Sequence, residues 1–297
     1  MKVLVTGTSG QLGYDVVREV VARGYEALGL DRSASTAEVR SLVGDITDAD
    51  AVARIVKETS PDVIVHCAAW TNVDAAEMPE NLSAVRAVNV EGTRNLAKAA
   101  LKNGAKFLYI STDYVFNGEG SRPWEPDEKD YAPLNVYGQS KLDGELAVVK
   151  ILKKFFIVRI AWVFGKNGKN FVRTMLSVGE GRDEVSVVDD QIGTPTYTVD
   201  LARLLVDIIK TEKYGYYHAT NEGGYISWAD FTEEIYRQAG LKTRVRRVTT
   251  AEYEGLVGKT VAKRPFNSRL DKSKLVKCGF RPLPDWRDAV RRYLAEM

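Results

Sequence analysis

Tyr137 and Lys141 stand four residues apart in the stretch "PLNVYGQSKLDGE". On a helix this spacing puts two side chains on one face, one above the other. An ammonium about 6 Å from a phenol, at an effective dielectric near 20, contributes roughly 2–3 kcal/mol. That is about two pKa units, enough to bring Tyr137 from about 10 toward 8. A tyrosine placed so exchanges a proton with a substrate oxygen near neutral pH. Upstream, "YISTDYVF" ends an apolar run in Ser111, Thr112 and Asp113, and the Thr112 hydroxyl can bond the same carbonyl. Tyr and Lys at this spacing also occur on plain amphipathic helices, so the reading depends on the elements that position the pair.

One such element is the turn "VTGTSGQLG", with Gly7, Gly10 and Gly13 spaced three apart between a first strand and a first helix. In this context Gly7 permits the sharp turn, Gly10 the approach of a pyrophosphate, and Gly13 close helix–sheet packing. The helix start at Gln11 and Leu12 then presents free N–H groups and a positive dipole end to phosphates. Asp31 closes the second strand, where a carboxylate accepts bonds from ribose hydroxyls. Arg32 follows it and suits a 2′-phosphate, so NADH and NADPH both stay open as cofactor. Asp45, before Ile46 in "GDI", has two roles open: contact with the adenine amino group, or N-cap of the next helix.

These elements recur along the first 165 residues. The runs "KVLVTG", "EALGL", "SLVGDI", "DVIVHCAA", "KFLYIST" and "FFIVRIAWVFG" are mostly continuous rather than alternating, as in strands buried on both faces. Helix-like stretches separate them, one ending at Gly24 and a long one, "ENLSAVRAVNVEGTRNLAKAALKNG", at Asn103–Gly104. The pattern predicts an α/β fold, a Rossmann-type doubly wound parallel sheet, with a smaller C-terminal α/β substrate lobe. The expected division is 1–165 plus about 188–215 for the dinucleotide-binding domain, and about 166–187 and 216–297 for the lobe.

The 297 residues suffice for a substantial core, and 44% hydrophobic with 28% charged residues is ordinary for a globular protein. A net charge of +2, from 42 basic and 40 acidic side chains, argues against a nucleic-acid or anionic-membrane partner. The basic residues Arg244, Arg246, Arg247, Lys259, Lys263 and Arg264 cluster near the C-terminus, without a nucleic-acid motif. Cys67 and Cys278 make neither a disulfide framework nor a zinc pattern, and Cys67 reads as a buried small hydrophobe. His66 and His218 lie in apolar or aromatic runs and read as packed. The first residues form a strand and glycine turn rather than a signal peptide, and no apolar stretch approaches the ~20 residues of a membrane span, so a cytoplasmic location is expected.

Gly7/Gly10/Gly13, Thr112 and Tyr137-xxx-Lys141 resemble the extended short-chain dehydrogenase/reductase superfamily. Within it, "GTSGQLG", "CAAWTNVDAAE", "STDYVFNG", "PLNVYGQSKLDGE", "RIAWVFGKNGKNFVRTM", "DDQIGTPTYTVDLA", "ISWADF", "KRPFNSRLDKSKL" and "LPDW" resemble the dTDP-4-dehydrorhamnose reductases, over residues 7–286. The resemblance implies hydride transfer from NADPH or NADH to C4 of a 4-keto-6-deoxy sugar on dTDP. It implies Tyr137 as proton donor, Thr112 as carbonyl ligand, and Lys141 as the residue that tunes Tyr137 and binds the nicotinamide ribose. Ala68 and Ala69 would leave room for cofactor. Trp162 would pack on the sugar, while Asn170, Phe171, Gln191 and Thr194 would line the substrate cleft. Arg264 would neutralise the substrate pyrophosphate, as guanidinium geometry suits. Some relatives carry a metal-binding glutamate where this chain has the shorter Asp15, and no metal is expected. A homodimer is compatible with the resemblance.

Two other readings stay open at this stage. An epimerase of the same superfamily would retain tightly bound NAD; a dehydratase would need an acid where this chain has Tyr114. A non-catalytic regulatory subunit of methionine adenosyltransferase would share the fold and the Tyr-xxx-Lys pair.

Overall fold

Continuous apolar runs fold into strands covered on both sides, because neither face of such a strand tolerates water. In the computed structural model, which describes residues 1–34, 39–257 and 262–297, all six predicted runs are strands. They are β1 (Lys2–Thr6), β2 (Glu26–Asp31), β3 (Arg40–Val43), β4 (Val63–His66), β5 (Lys106–Thr112) and β6 (Phe155–Ile160). With β7 (Gly215–His218) they form one parallel sheet in the order β7-β6-β5-β4-β1-β2-β3. The strand order reverses between β1 and β4, which opens a crevice at the carboxyl ends.

Helices fill both faces. On one side α1 (Gln11–Ala22) packs Val16, Val17 and Val20 against the later helix Thr198–Ile209. On the other, α2 (Ala49–Thr59), α3 (Thr93–Asn103) and α4 (Val136–Ile151) cover Leu4, Ile64, Phe107 and Tyr109. A smaller layer contains α5 (Phe171–Gly179), α7 (Trp228–Ala239), α8 (Trp286–Ala295) and the paired strands Glu184–Val188 and Arg244–Val248, while Thr198–Ile209 is α6. Its core is aromatic: Phe164, Phe231, Tyr236, Trp286 and Tyr293. Lys259, one of the clustered basic residues, lies outside the described residues.

Two expectations change. The sheet runs on to His218, past the expected boundary near 215, because "GYYH" pairs residue for residue with Phe156–Arg159. Leu275, Phe280 and Leu283 also return to the core beneath α1 and α6, so the C-terminal segment serves both parts. The long run ending at Asn103 is not one regular helix. A short helix at Leu82–Arg86 passes through a π-helical turn at Ala87–Gly92 before α3 begins. Such insertions shift the register of the helix face and frequently mark functional sites.

The seat of α4 is a buried ion pair. Glu145 accepts two bonds from Arg159 on β6, at 2.9 and 2.8 Å, with both side chains fully buried. The guanidinium also donates to the Pro126 carbonyl and the Tyr131 hydroxyl and lies against the rings of Phe116, Tyr131 and Tyr216. Removing one partner leaves an uncompensated buried charge. Arg159→Met is therefore expected to lower unfolding free energy by about 3–5 kcal/mol in urea titrations, and Arg159→Met with Glu145→Leu to recover most of it.

Candidate active site

A cleft of about 800 Å³ opens over the carboxyl ends of β1, β4 and β5, within the range of small-ligand sites. Its floor at one end is the glycine turn. Gly7 has φ of 72°, and a Cβ there would meet the Ala68 backbone at 2.7 Å. At Gly13 a Cβ would lie 2.2 Å from the Gly7 carbonyl oxygen, so α1 reaches the turn only without a side chain. Gly10 is the N-cap of α1 and carries no side-chain cap, which leaves the first-turn amides directed at the cleft. The Ser9 and Ser111 hydroxyls are buried without a partner and belong to residues of its wall. Unpaired amides and hydroxyls around a glycine cradle fit a pyrophosphate and its ribose.

Asp31, at the end of β2, accepts from the Ser9 amide at 2.9 Å and the Arg32 amide at 2.7 Å, which fixes its carboxylate at the cleft edge. Arg32 and Ile46 line the same end. The two roles open for Asp45 separate here. Asp48 caps α2 by accepting from the Asp50 and Ala51 amides, and Asp45 turns to the cleft with one oxygen on the Thr47 amide. Ala68 and Ala69 form the wall beyond β4.

Thr112, Tyr137 and Lys141 meet where β5 ends against α4, and all three line the cleft. Asn135 caps α4 through the Gly138 amide, which sets the helix start at Val136, one residue before Tyr137. Lys141 is 3% exposed, and its ammonium donates to the Ile110 carbonyl at 2.7 Å and sits 4.1 Å from the Tyr109 ring centroid. Burial pushes it down to about 7, with Glu145 and Cys67 pulling it back up. Tyr137 does not move as the spacing predicts. Burial and then Asp113 push its phenol above the ordinary value, and a hydrogen bond with Thr112 eases it only in part. The sequence estimate counted the ammonium's attraction but not the cost of burying a phenolate in this enclosed corner, and the ammonium is directed at a carbonyl and a ring. Asp113, fully enclosed, is itself pushed up to about 6 by burial, against hydrogen bonds from Ser268 and Thr112.

The opposite wall is aromatic. Trp162 and Trp228 stack with centroids 3.7 Å apart and planes 15° from parallel, and Phe171 lies 4.4 Å from Trp228. All three line the cleft. Trp162 has φ of 50°, a left-handed conformation that costs a bulky residue on the order of 1–3 kcal/mol. Four residues expected at the substrate lie outside the cleft lining. Asn170 caps α5 through the Arg173 amide, and its amide donates to Gly165, Gln11 and Tyr293. Gln191 donates to the Thr250 hydroxyl and Thr194 to the Gly224 carbonyl. Arg264 is engaged by Asp74 at 2.8 Å and the Ala262 carbonyl at 3.0 Å.

Other placements depart from or extend the sequence reading. Cys67 packs against the core as a partly buried hydrophobe and also reaches the cleft lining, with a thiol pushed up to about 12 by burial. His66 and His218 are packed as expected; His66 bridges Thr6 and Thr93 at 2.8 and 3.0 Å. Asp15 is buried and accepts from Thr198 at 2.6 Å. Asn89, buried in the π-helical turn, is a further residue of the site that no motif marks. It holds both backbone groups of Trp70 and the Ser140 hydroxyl, which in turn bonds the Tyr137 carbonyl. An asparagine on the apolar face of a helix was the available signal. Trp228 was visible only as part of "ISWADF".

The sequence profile of the RmlD substrate binding domain matches residues 1–297. The chain belongs to this family. A relative named dTDP-4-dehydrorhamnose reductase from Aggregatibacter actinomycetemcomitans is 39% identical, over 99% of this chain and 98% of that protein. Another of the same name, from Streptomyces griseus, is 42% identical over 97% of this chain and 91% of that protein. Among solved structures, dTDP-4-dehydrorhamnose reductase from Bacillus anthracis in complex with NADP superposes with a TM-score of 0.90, at 38% identity and 100% coverage of both chains. Family membership thus agrees with the fold.

The glycine turn is tested by Gly13→Ala. The added methyl has only backbone to displace, and NADPH titration is expected to show affinity reduced by about tenfold or more, a loss of at least ~1.4 kcal/mol. Stability should also carry the mark of His66. Burial, then the Lys141 charge, pushes it down to about 3 from 6.5. Between those values the unfolded chain binds the proton and the folded chain does not, so stability falls as pH drops through that window. Urea midpoints measured from pH 7 to 4 should fall less steeply in His66→Gln than in wild type.

Proposed function

We propose that the protein is an NAD(P)H-dependent oxidoreductase that reduces the C4 keto group of dTDP-4-dehydrorhamnose to dTDP-L-rhamnose. The observation that carries the reading is the corner where Thr112, Tyr137 and a buried Lys141 face the same cleft as the glycine cradle. The cradle, the first amides of α1 and Asp31 would hold the dinucleotide, and a bound nicotinamide supplies the hydride. Both NADPH and NADH fit, since Asp31 suits ribose hydroxyls and Arg32 suits a 2′-phosphate. The relative solved with NADP supports the phosphorylated form.

Thr112 orients the C4 oxygen toward Tyr137. Negative charge that grows on that oxygen is met by the Tyr137 proton, and the raised pKa suits a donor that keeps its proton until the oxygen becomes basic. Lys141, pushed down to about 7 by burial, offers its ammonium to the ribose side. Trp162 and Phe171 give the deoxy sugar an apolar wall. Dehydration is disfavoured because Tyr114, where a dehydratase would need its acid, has a phenol pushed up by burial and by Asp113. A cytoplasmic location follows from a soluble, nucleotide-linked substrate as part of the same proposal.

The test is loss of nicotinamide absorbance when protein is mixed with NADPH or NADH and dTDP-4-dehydrorhamnose, with product identified as dTDP-L-rhamnose. Tyr137→Phe should lower kcat by roughly 10²–10⁴-fold with cofactor affinity retained. Folded, cofactor-binding protein that oxidises neither nucleotide would overturn the reading.

A further inference from the structure

We infer that Trp228 is a positioning residue for Trp162: it holds the cleft tryptophan in a strained conformation and so sets the wall against which the substrate binds. The inference rests on the reductase reading for the identity of that substrate.

The geometry is a clamp. Trp162 follows β6, and its left-handed φ of 50° is one that β-carbon sterics disfavour for any residue with a large side chain. Such a conformation persists only where the surroundings impose it. On one face the Trp228 indole stacks at 3.7 Å and 15°. At another side Gly193 comes so close that a Cβ there would lie 2.8 Å from Trp162 Cε2 and 3.0 Å from Cζ2. The backbone is pinned too, by the Thr196 amide on the Trp162 carbonyl at 3.0 Å and the Thr196 hydroxyl on the Ala161 carbonyl at 2.5 Å.

The clamp has a rigid mount. Ile226 and Ser227 pair antiparallel with Ile192 and Gly193, so the strand that leads into Trp228 is hydrogen-bonded to the strand that bears Gly193. Ser227 caps α7 in a reciprocal capping box with Asp230, and its hydroxyl donates to Asp189 at 2.6 Å. Trp228 is the first residue of that helix, with Phe171 behind it at 4.4 Å. Trp162 is carried by the large sheet and Trp228 by the small lobe, so the stack ties the seat of the lobe to the orientation of the cleft wall.

The test combines spectroscopy with a double-mutant cycle. Two indoles stacked this closely give an exciton couplet in far-ultraviolet circular dichroism. It should disappear in Trp228→Leu and in Trp162→Phe, and persist in the control Trp70→Phe. In kinetics, Trp228→Leu should raise KM for the sugar nucleotide about five- to tenfold, the range of a lost aromatic pair, with KM for NADPH unchanged and Trp228→Phe recovering most of the loss. Trp162→Gly keeps a residue suited to that backbone, and adding Trp228→Leu to it should cause no further rise in KM. Full additivity of the two losses, an unchanged KM in Trp228→Leu, or a couplet that survives it would each overturn the inference. The couplet is read without substrate, so a wild-type protein that shows it but does not turn over counts against the reductase reading and leaves the clamp standing.

Discussion

A buried ammonium is the constraint around which the catalytic corner is organised. Lys141 is almost wholly removed from water, and a cation in that position is costly unless surrounding groups replace its hydration. The Ile110 carbonyl, the Tyr109 ring and the field of Glu145 do so, the first two from the strand and the third from the helix. The carbonyl and the ring belong to adjacent residues near the end of β5, and the carboxylate lies one turn along α4. Register between strand and helix is therefore fixed by electrostatics as well as by packing.

That register propagates outward. Glu145 is held by Arg159, which binds α4 to β6 and to the loop that carries Pro126 and Tyr131. On the other side of the corner, the π-helical turn aims Asn89 at Trp70 and Ser140, so the wall beyond β4 and the first turn of α4 share one amide. Tyr137 sits between these two networks. Its side chain shares the cleft with Thr112, and its backbone carbonyl accepts from the Ser140 hydroxyl. The phenol is thus positioned from below by polar bonds whose cost of rupture is desolvation rather than a single lost contact.

The lobe solves a different problem. Its strands are short, and its order comes from stacked aromatic rings and from caps such as Ser227 and Asn170. Several residues that resemblance places at the substrate are hydrogen-bonded into this framework. Asn170 ties the start of α5 to Gln11 and Tyr293, which links the lobe to the glycine turn. Gln191 and Thr194 flank Gly193 and hold the strand against which Trp162 rests.

The sequence by itself determined the sheet, since continuous apolar runs between glycine and polar breaks can be buried only as central parallel strands. It determined the glycine cradle for the same kind of reason, because spacing along one turn is a local property. It also placed Tyr137 beside Lys141, as helical periodicity requires. What tertiary structure decided was the environment of those groups. The direction of the Tyr137 shift depends on how much water burial removes and on where the ammonium points, and neither is encoded in a four-residue spacing. The choice of Asp48 over Asp45 as cap, the membership of Gly215–His218 in the sheet and the stacking of Trp162 on Trp228 are likewise long-range outcomes. Each rests on segments far apart in the chain meeting at one place, and only packing determines which segments those are.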